Sequence, residues 1–142
     1  MNRFILTAFI FLSLVSCSNS DDNTNCSFLL NVAVNESINL SLPQFQDLQF
    51  DLLPVYIPGQ GNGGLVVIKT PGGFLAWDAS DPNHPPSSCS VLQINGIEGV
   101  CGCEDGNRYE FVTGQAVGET DLPCTLKRYP VNQSGNVLIV SN

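Results

Sequence analysis

From residue 26 onward, short runs of apolar and β-branched residues alternate with clusters of Gly, Pro, Asn and Ser. Runs of about four to eight such residues, bounded by turn formers, read as strands. The period-two alternation sends one side chain toward a core and the next toward solvent. The pattern predicts strands over 28–34, 38–42, 55–57, 65–69, 74–78, 91–94, 109–112, 126–131 and 137–140. No window of helical length carries an apolar stripe, and 42–53 has room for one short helical turn at most. Pro58-Gly59-Gln60-Gly61-Asn62-Gly63-Gly64 and Pro71-Gly72-Gly73 are strong turn signals. Gln133-Ser134-Gly135-Asn136 predicts a hairpin between the last two strands. There is no internal repeat. The expected fold class is all-β.

Composition narrows the functions open to such a fold. The 142 residues suit one domain, and 13 Gly, 9 Pro and only 13% charged residues agree with loop-rich β structure. Thirteen acids against five bases, a net charge of −8, speak against nucleic-acid binding, which needs clustered Lys and Arg. The glycine-rich stretch 59–64 is followed by a β-branched strand, not by the helix N-terminus that a phosphate-cradling loop requires. The single histidine, His84, excludes any site in this chain that needs two imidazoles. With no strained Gly-x-Ser-x-Gly turn, it finds no nucleophile to serve, so no catalytic residue is assigned and no enzyme is expected.

The beginning of the chain has a different character. Met1-Asn2-Arg3 precedes a mostly apolar run over 4–15, too short to span a bilayer, which ends in Leu14-Val15-Ser16-Cys17. This resembles the bacterial lipoprotein signal, which is cut immediately before a cysteine. The resemblance implies a signal peptide over 1–16, a lipid on the Cys17 thiol and an acylated amino group beside it. Several acyl chains, at about 0.8 kcal/mol per buried CH₂, hold a protein on a membrane essentially permanently. Residues 18–25 contain nothing apolar, so 17–25 reads as the lipidated cysteine and a flexible tether, with the β domain over 26–142. The expected location is the bacterial cell envelope, lipid-anchored at the outer membrane. The expected partners are that membrane and an unidentified envelope protein or ligand.

Outside the cytosol the five remaining cysteines, Cys26, Cys89, Cys101, Cys103 and Cys124, should form two bridges and leave one thiol. Cys101 and Cys103 are too close in sequence to pair easily with each other, and spacing alone does not choose the partners.

Residues 74–140 carry a second resemblance. Phe74-Leu75-Ala76-Trp77-Asp78 is followed by a proline-containing loop, Cys89, two strands and Cys101-Gly102-Cys103-Glu104-Asp105-Gly106-Asn107-Arg108-Tyr109-Glu110. Val112-Thr113-Gly114-Gln115-Ala116-Val117-Gly118, Leu122-Pro123 and a final hairpin complete the order. This is similar to a Rieske domain and implies a Rieske-like antiparallel β-sandwich with two loops at a cluster-bearing tip. In that family the loops hold a 2Fe–2S cluster, with two Cys on one iron and two His on the other. Position by position, Asp81-Pro82-Asn83 stands where the first box has Cys-Pro-His, and His84 falls one residue late. Cys101 matches the ligand thiol of the second box, Glu104 replaces its His, and Asp105 looks inserted. Cys89 and Cys103 match the non-ligand pair that forms a bracing disulfide. The former cluster positions are therefore Asp81, Asn83, Cys101 and Glu104, of which one keeps its ligand. The expectation is a retained scaffold with no cofactor, acting as a binding or structural module. The alternative is a Rieske-type 2Fe–2S electron-transfer protein with atypical ligands.

Two other metal sites are open to these residues. Calcium would draw on Asp81, Asn83, Glu104 and Asp105, helped by Asp78 and Asn107, if these converged at the loop tips. Against it stand the absence of a regular calcium-loop spacing and the turn-forming role of the same residue types. Zinc would use Cys101, Cys103, His84 and Glu104, in competition with disulfide formation. Trp77 and Tyr109 are expected in the core, and 59–64 and the two loops are the expected contact surfaces.

Overall fold

Leu65, Val66, Val67 and Ile68 are consecutive and all fully buried, and this run sets the architecture. Successive strand residues face opposite sides of a sheet, so four in a row are covered only when both faces are packed. The computed structural model describes residues 26–118 and 121–142. The expected signal over 1–16, Cys17 and the tether lie outside the described residues. The strands are β1 (Asn35–Asn39), β2 (Val55–Ile57), β3 (Leu65–Thr70), β4 (Gly73–Asp78), β5 (Leu92–Asn95), β6 (Glu98–Cys101), β7 (Arg108–Glu110), β8 (Arg128–Tyr129), β9 (Val131–Ser134) and β10 (Val137–Ser141). They form three antiparallel sheets in the orders β1-β10-β9, β2-β3-β4-β8 and β5-β6-β7.

The four-stranded sheet lies in the middle. From one face of it, Leu65, Val67, Ala76 and Tyr129 pack with Ile38, Leu138 and Val140 of the β1-β10-β9 sheet and with Leu48. From the other face, Val66, Ile68, Trp77 and Ala79 pack with Leu92, Cys101, Tyr109, Phe111 and Leu126. Trp77 fastens the second layer. Its Nε1 donates to the Phe111 carbonyl at 2.7 Å. Its ring lies so close to Gly114 that a Cβ there would come within 2.6 Å of it.

The all-β, antiparallel expectation holds, with two cores on either side of a shared sheet. Most predicted strands are present within a residue or two, and the turn at 133–136 joins β9 to β10 with Ser134 opposite Val137. A short 3₁₀ helix, Pro43–Gln49, occupies the stretch that had room for one helical turn. Three expectations need correction. The strand predicted over 38–42 is β1, which begins three residues earlier and ends at Asn39. The predicted strand over 28–34 is irregular backbone, because side-chain amides take its hydrogen bonds. Asn62 Oδ1 accepts from Leu30 N and Asn142 Oδ1 from Val34 N, each at 2.8 Å, while the two amide nitrogens donate to the carbonyls of Leu30 and Val32. The predicted strand over 126–131 is split at Pro130 into β8, in the middle sheet, and β9, in an outer one. Strand β6 carries no hydrophobic pattern, since Gly99 interrupts it, and is the second of the two strands that the resemblance places between Cys89 and Cys101. A Cβ at Gly99 would lie 2.7 Å from the Phe111 ring, so the packing itself excludes a side chain.

Candidate functional site

The loop after β4 and the loop between β6 and β7 lie side by side. The base of the first is closed by Asp81 N donating to the Ser90 carbonyl and Leu92 N to the Ala79 carbonyl. Gly102 N donates to the Cys89 carbonyl across the two loops at 2.9 Å. Beside that bond the Cys89–Cys103 disulfide joins them, with a Cα separation of 4.9 Å. This is the pair that the family resemblance implied.

Asp81 is the hub beneath the loops. It is completely buried, and both of its oxygens are engaged. Tyr109 Oη donates to Oδ1 at 2.5 Å, Asn83 N donates to Oδ1 at 2.8 Å, and Asn107 Nδ2 donates to Oδ2 at 2.9 Å. Asn83 turns inward as well. Its Nδ2 donates to Tyr109 Oη and to the Cys124 carbonyl, and its Oδ1 accepts from Cys124 N. Asn83, Tyr109 and Asp81 thus form a directed relay of amide, phenol and carboxylate. Burial, reinforced by the Asp81 carboxylate, raises the Tyr109 phenol well above its ordinary value of 10.0 and keeps it protonated.

Cys101 is the free cysteine among the described residues and is buried. Burial pushes its thiol from 9.0 up to about 12, and the nearby carboxylates of Asp81 and Asp105 add to the rise. The group at this position is therefore a thiol, not a thiolate, at neutral pH. The other bridge joins Cys26 to Cys124, with a sequence separation of 98.

The residues proposed for calcium do not all face one point. Asp81 and Asn83 spend their polar atoms inside the protein, whereas Glu104 and Asp105 are exposed. Asn107 bridges the two levels, donating to Asp81 Oδ2 and to Asp105 Oδ2 at 3.2 Å. Asp78 is remote from this cluster in its bonding. It is fully buried under the glycine-rich loop. Its carboxylate accepts from Asn62 N, Asn62 Nδ2, Gly63 N, Ser80 N and Tyr129 Oη. The 59–64 stretch is thus a pinned structural loop, with a carboxylate where a phosphate cradle would present open N–H groups.

Of the residues proposed for zinc, ligand atoms of Cys101 and Cys103 come within 4.8 Å of one another together with Asp105, and those of His84 and Cys103 do so together with Cys89; Glu104 belongs to neither group. Among the described residues, no buried side-chain nitrogen or oxygen lacks a hydrogen-bond partner. Sequence reasoning missed the hydroxyl of Tyr109 as the centre of the relay and Asp78 as the anchor of the glycine loop. Both depend on contacts between residues far apart in the chain, and no local motif marks them.

No protein-family model and no curated protein matches the chain. Two solved structures are similar in fold. One is assigned as the small subunit of an NADPH nitrite reductase, with a TM-score of 0.43, 19% identity, and coverage of 74% of this chain and 97% of that one. The other is NdmA of Pseudomonas putida CBB5, a QL mutant with caffeine, with a TM-score of 0.39 and 15% identity. Its match covers 63% of this chain and 27% of that one.

Proposed function

We propose that the protein is a cell-envelope lipoprotein whose Rieske-like domain has lost its iron–sulfur cluster and serves as a non-catalytic binding or structural module. The supporting observation is the closed circuit of Asp81, Asn83, Tyr109 and Asn107. The side chains standing at the first-box ligand positions are a carboxylate and an amide, and both are satisfied within the protein. At the second box one position keeps a cysteine, Cys101, and the other carries an exposed Glu. A sulfide-bridged iron pair takes thiolate and imidazole donors. A buried carboxylate, an amide, a solvated carboxylate and one cysteine sulfur are not such a set, so the residues present do not fit the cluster. The Cys89–Cys103 brace keeps the loops together without it, and the exposed tips at Pro85, Pro86, Ser88 and Glu104 are left as the contact surface.

Full-length protein purified anaerobically is expected to be colourless, without stoichiometric iron or acid-labile sulfide. A reddish-brown preparation with a paramagnetic reduced state overturns the cluster-loss reading. The lipoprotein reading is tested by labelled fatty acid, which should be incorporated by the natural chain and not by Cys17→Ser. Equal labelling of both overturns it.

A further inference from the structure

The Cys89–Cys103 disulfide lies in an open cleft lined by His84, Gly102, Glu104 and Asp105. Cys89 is exposed and Cys103 half-buried, so a reductant can reach the bond. His84 Nδ1 is 3.8 Å from Cys103 Sγ, and ligand atoms of His84, Cys89 and Cys103 all lie within 4.8 Å of one another. Ser87 Oγ stands 3.2 Å from Cys89 Sγ and 3.8 Å from Cys103 Sγ, placed to donate to sulfur. The acidic neighbours Glu104 and Asp105 favour an approaching cation.

We propose that opening this disulfide turns the loop tip into a site for a thiophilic divalent cation of the zinc class, held by Cys89, Cys103 and His84. The site differs from the former cluster positions and does not depend on the fate of the cluster. A dithiol supplies two electrons and two protons and becomes a disulfide, while Cys89 and Cys103 become thiols. The cation then displaces both thiol protons and binds two thiolates and a neutral imidazole. Two sulfurs and one nitrogen leave one tetrahedral position. Asp105, whose carboxylate is within 4.8 Å of Cys103 Sγ, or a water completes it. Cys101 Sγ also lies within 4.8 Å of Cys103 Sγ and Asp105, but it is buried and does not join the group formed by His84, Cys89 and Cys103.

The test uses the full chain, reduced by graded dithiothreitol and desalted anaerobically, with opened cysteines identified by alkylation and mass spectrometry. Titration with Co²⁺ should produce a thiolate-to-metal charge-transfer band saturating at about one equivalent, and Zn²⁺ should displace it. The oxidised chain should give no band. Cys89→Ser should abolish the band, His84→Ala should weaken binding by roughly tenfold or more, and Cys101→Ser should leave it unchanged. If reduction unfolds the chain, Zn²⁺ should restore its circular dichroism, because binding to the folded site adds to folding free energy. The proposal is overturned by a reduced chain that neither gives the band nor refolds with Zn²⁺. It is equally overturned by a band that survives Cys89→Ser or disappears with Cys101→Ser.

Discussion

Tyr109 and Asp81, separated by 28 positions in sequence, share a buried hydrogen bond in which the phenol donates to a carboxylate that has no contact with solvent. Tyr109 comes from β7 in an outer sheet, and Asp81 follows the end of β4 in the middle one. The bond therefore ties two layers together at the base of the loop pair. A buried carboxylate is tolerated only while donors surround it, and here three are supplied by Tyr109, Asn83 and Asn107.

Removing the phenol hydroxyl leaves Asp81 Oδ1 with one donor and takes one of two acceptors from Asn83 Nδ2. Tyr109→Phe is expected to cost about 1.5–3 kcal/mol, the range for hydrogen bonds to charged groups. Urea denaturation with an unchanged m-value checks it. A loss within about 0.5 kcal/mol would mean that the relay is incidental to stability.

The glycine-rich loop yields a paired prediction. A Cβ at Gly63 would lie 2.2 Å from Ser80 Oγ, a buried side chain, while a Cβ at Gly72 would find its nearest neighbour, Thr70 Oγ1, at 3.8 Å. Gly63→Ala is expected to destabilise by about 1–3 kcal/mol through overpacking and loss of the Asp78 anchorage. Gly72→Ala, in an exposed turn, should stay within about 0.5 kcal/mol. Thermal melts of the two variants beside the natural chain distinguish these outcomes.

Alkaline pH probes Cys101. Its thiol rises from 9.0 in the unfolded chain to about 12 when folded. Between those values the unfolded state binds fewer protons than the folded state, so stability falls as pH rises. The contribution is complete below pH 9 and is lost progressively toward pH 12. The Tyr109 and Tyr129 phenols, also raised by burial, act in the same direction from a higher onset, since their ordinary value is 10.0. Denaturation midpoints measured from pH 7 to 11 should begin to decline near 9, and Cys101→Ala should flatten the earliest part of that decline. Identical slopes for the two proteins would show that this thiol is not the group responsible.

The two hairpins legible in sequence, β3 with β4 and β9 with β10, combine β-branched runs with turn residues that leave the chain little choice. Burial of β3 on both faces was also implicit in Leu65-Val66-Val67-Ile68, a run with no polar interruption. The segment over 28–34 is also rich in apolar residues, but it lacks a strand partner and makes a single backbone bond, from Asn142 N to the Val34 carbonyl. It is held by Asn62 and Asn142, two side chains that no local pattern connects to it. At the candidate site, the family resemblance set Asp81 and Asn83 in one loop and Cys101 and Cys103 in another, and the structure lays these loops side by side. The inward orientation of Asp81 and Asn83 was not legible, because it depends on Tyr109 and Cys124, which arrive from later in the chain. A sequence shows which residue stands at a position; what its side chain bonds to is decided by packing.

The two disulfides should open in a fixed order. Cys26–Cys124 closes nearly the whole described domain, with a separation of 98, and Cys124 is only 3% exposed. Cys89–Cys103 closes a separation of 14, and Cys89 is exposed. Chain-entropy reasoning assigns about 4.7 kcal/mol to a loop of roughly 100 residues and about 3 to one of roughly 15. Asn83 also grips the Cys124 backbone at both its N–H and its carbonyl, so that half of the longer bridge is held even before the sulfurs are considered. Access and stability thus agree, and graded dithiol followed by alkylation should label Cys89 and Cys103 well before Cys26 and Cys124. Replacing both Cys26 and Cys124 by Ser should cost more stability than replacing Cys89 and Cys103. It should also raise amide exchange across 26–34, which would then be held mainly by the side chains of Asn62, Asn142 and Lys127. Simultaneous labelling of all four cysteines would mean that reduction of either bridge requires the domain to unfold as a unit.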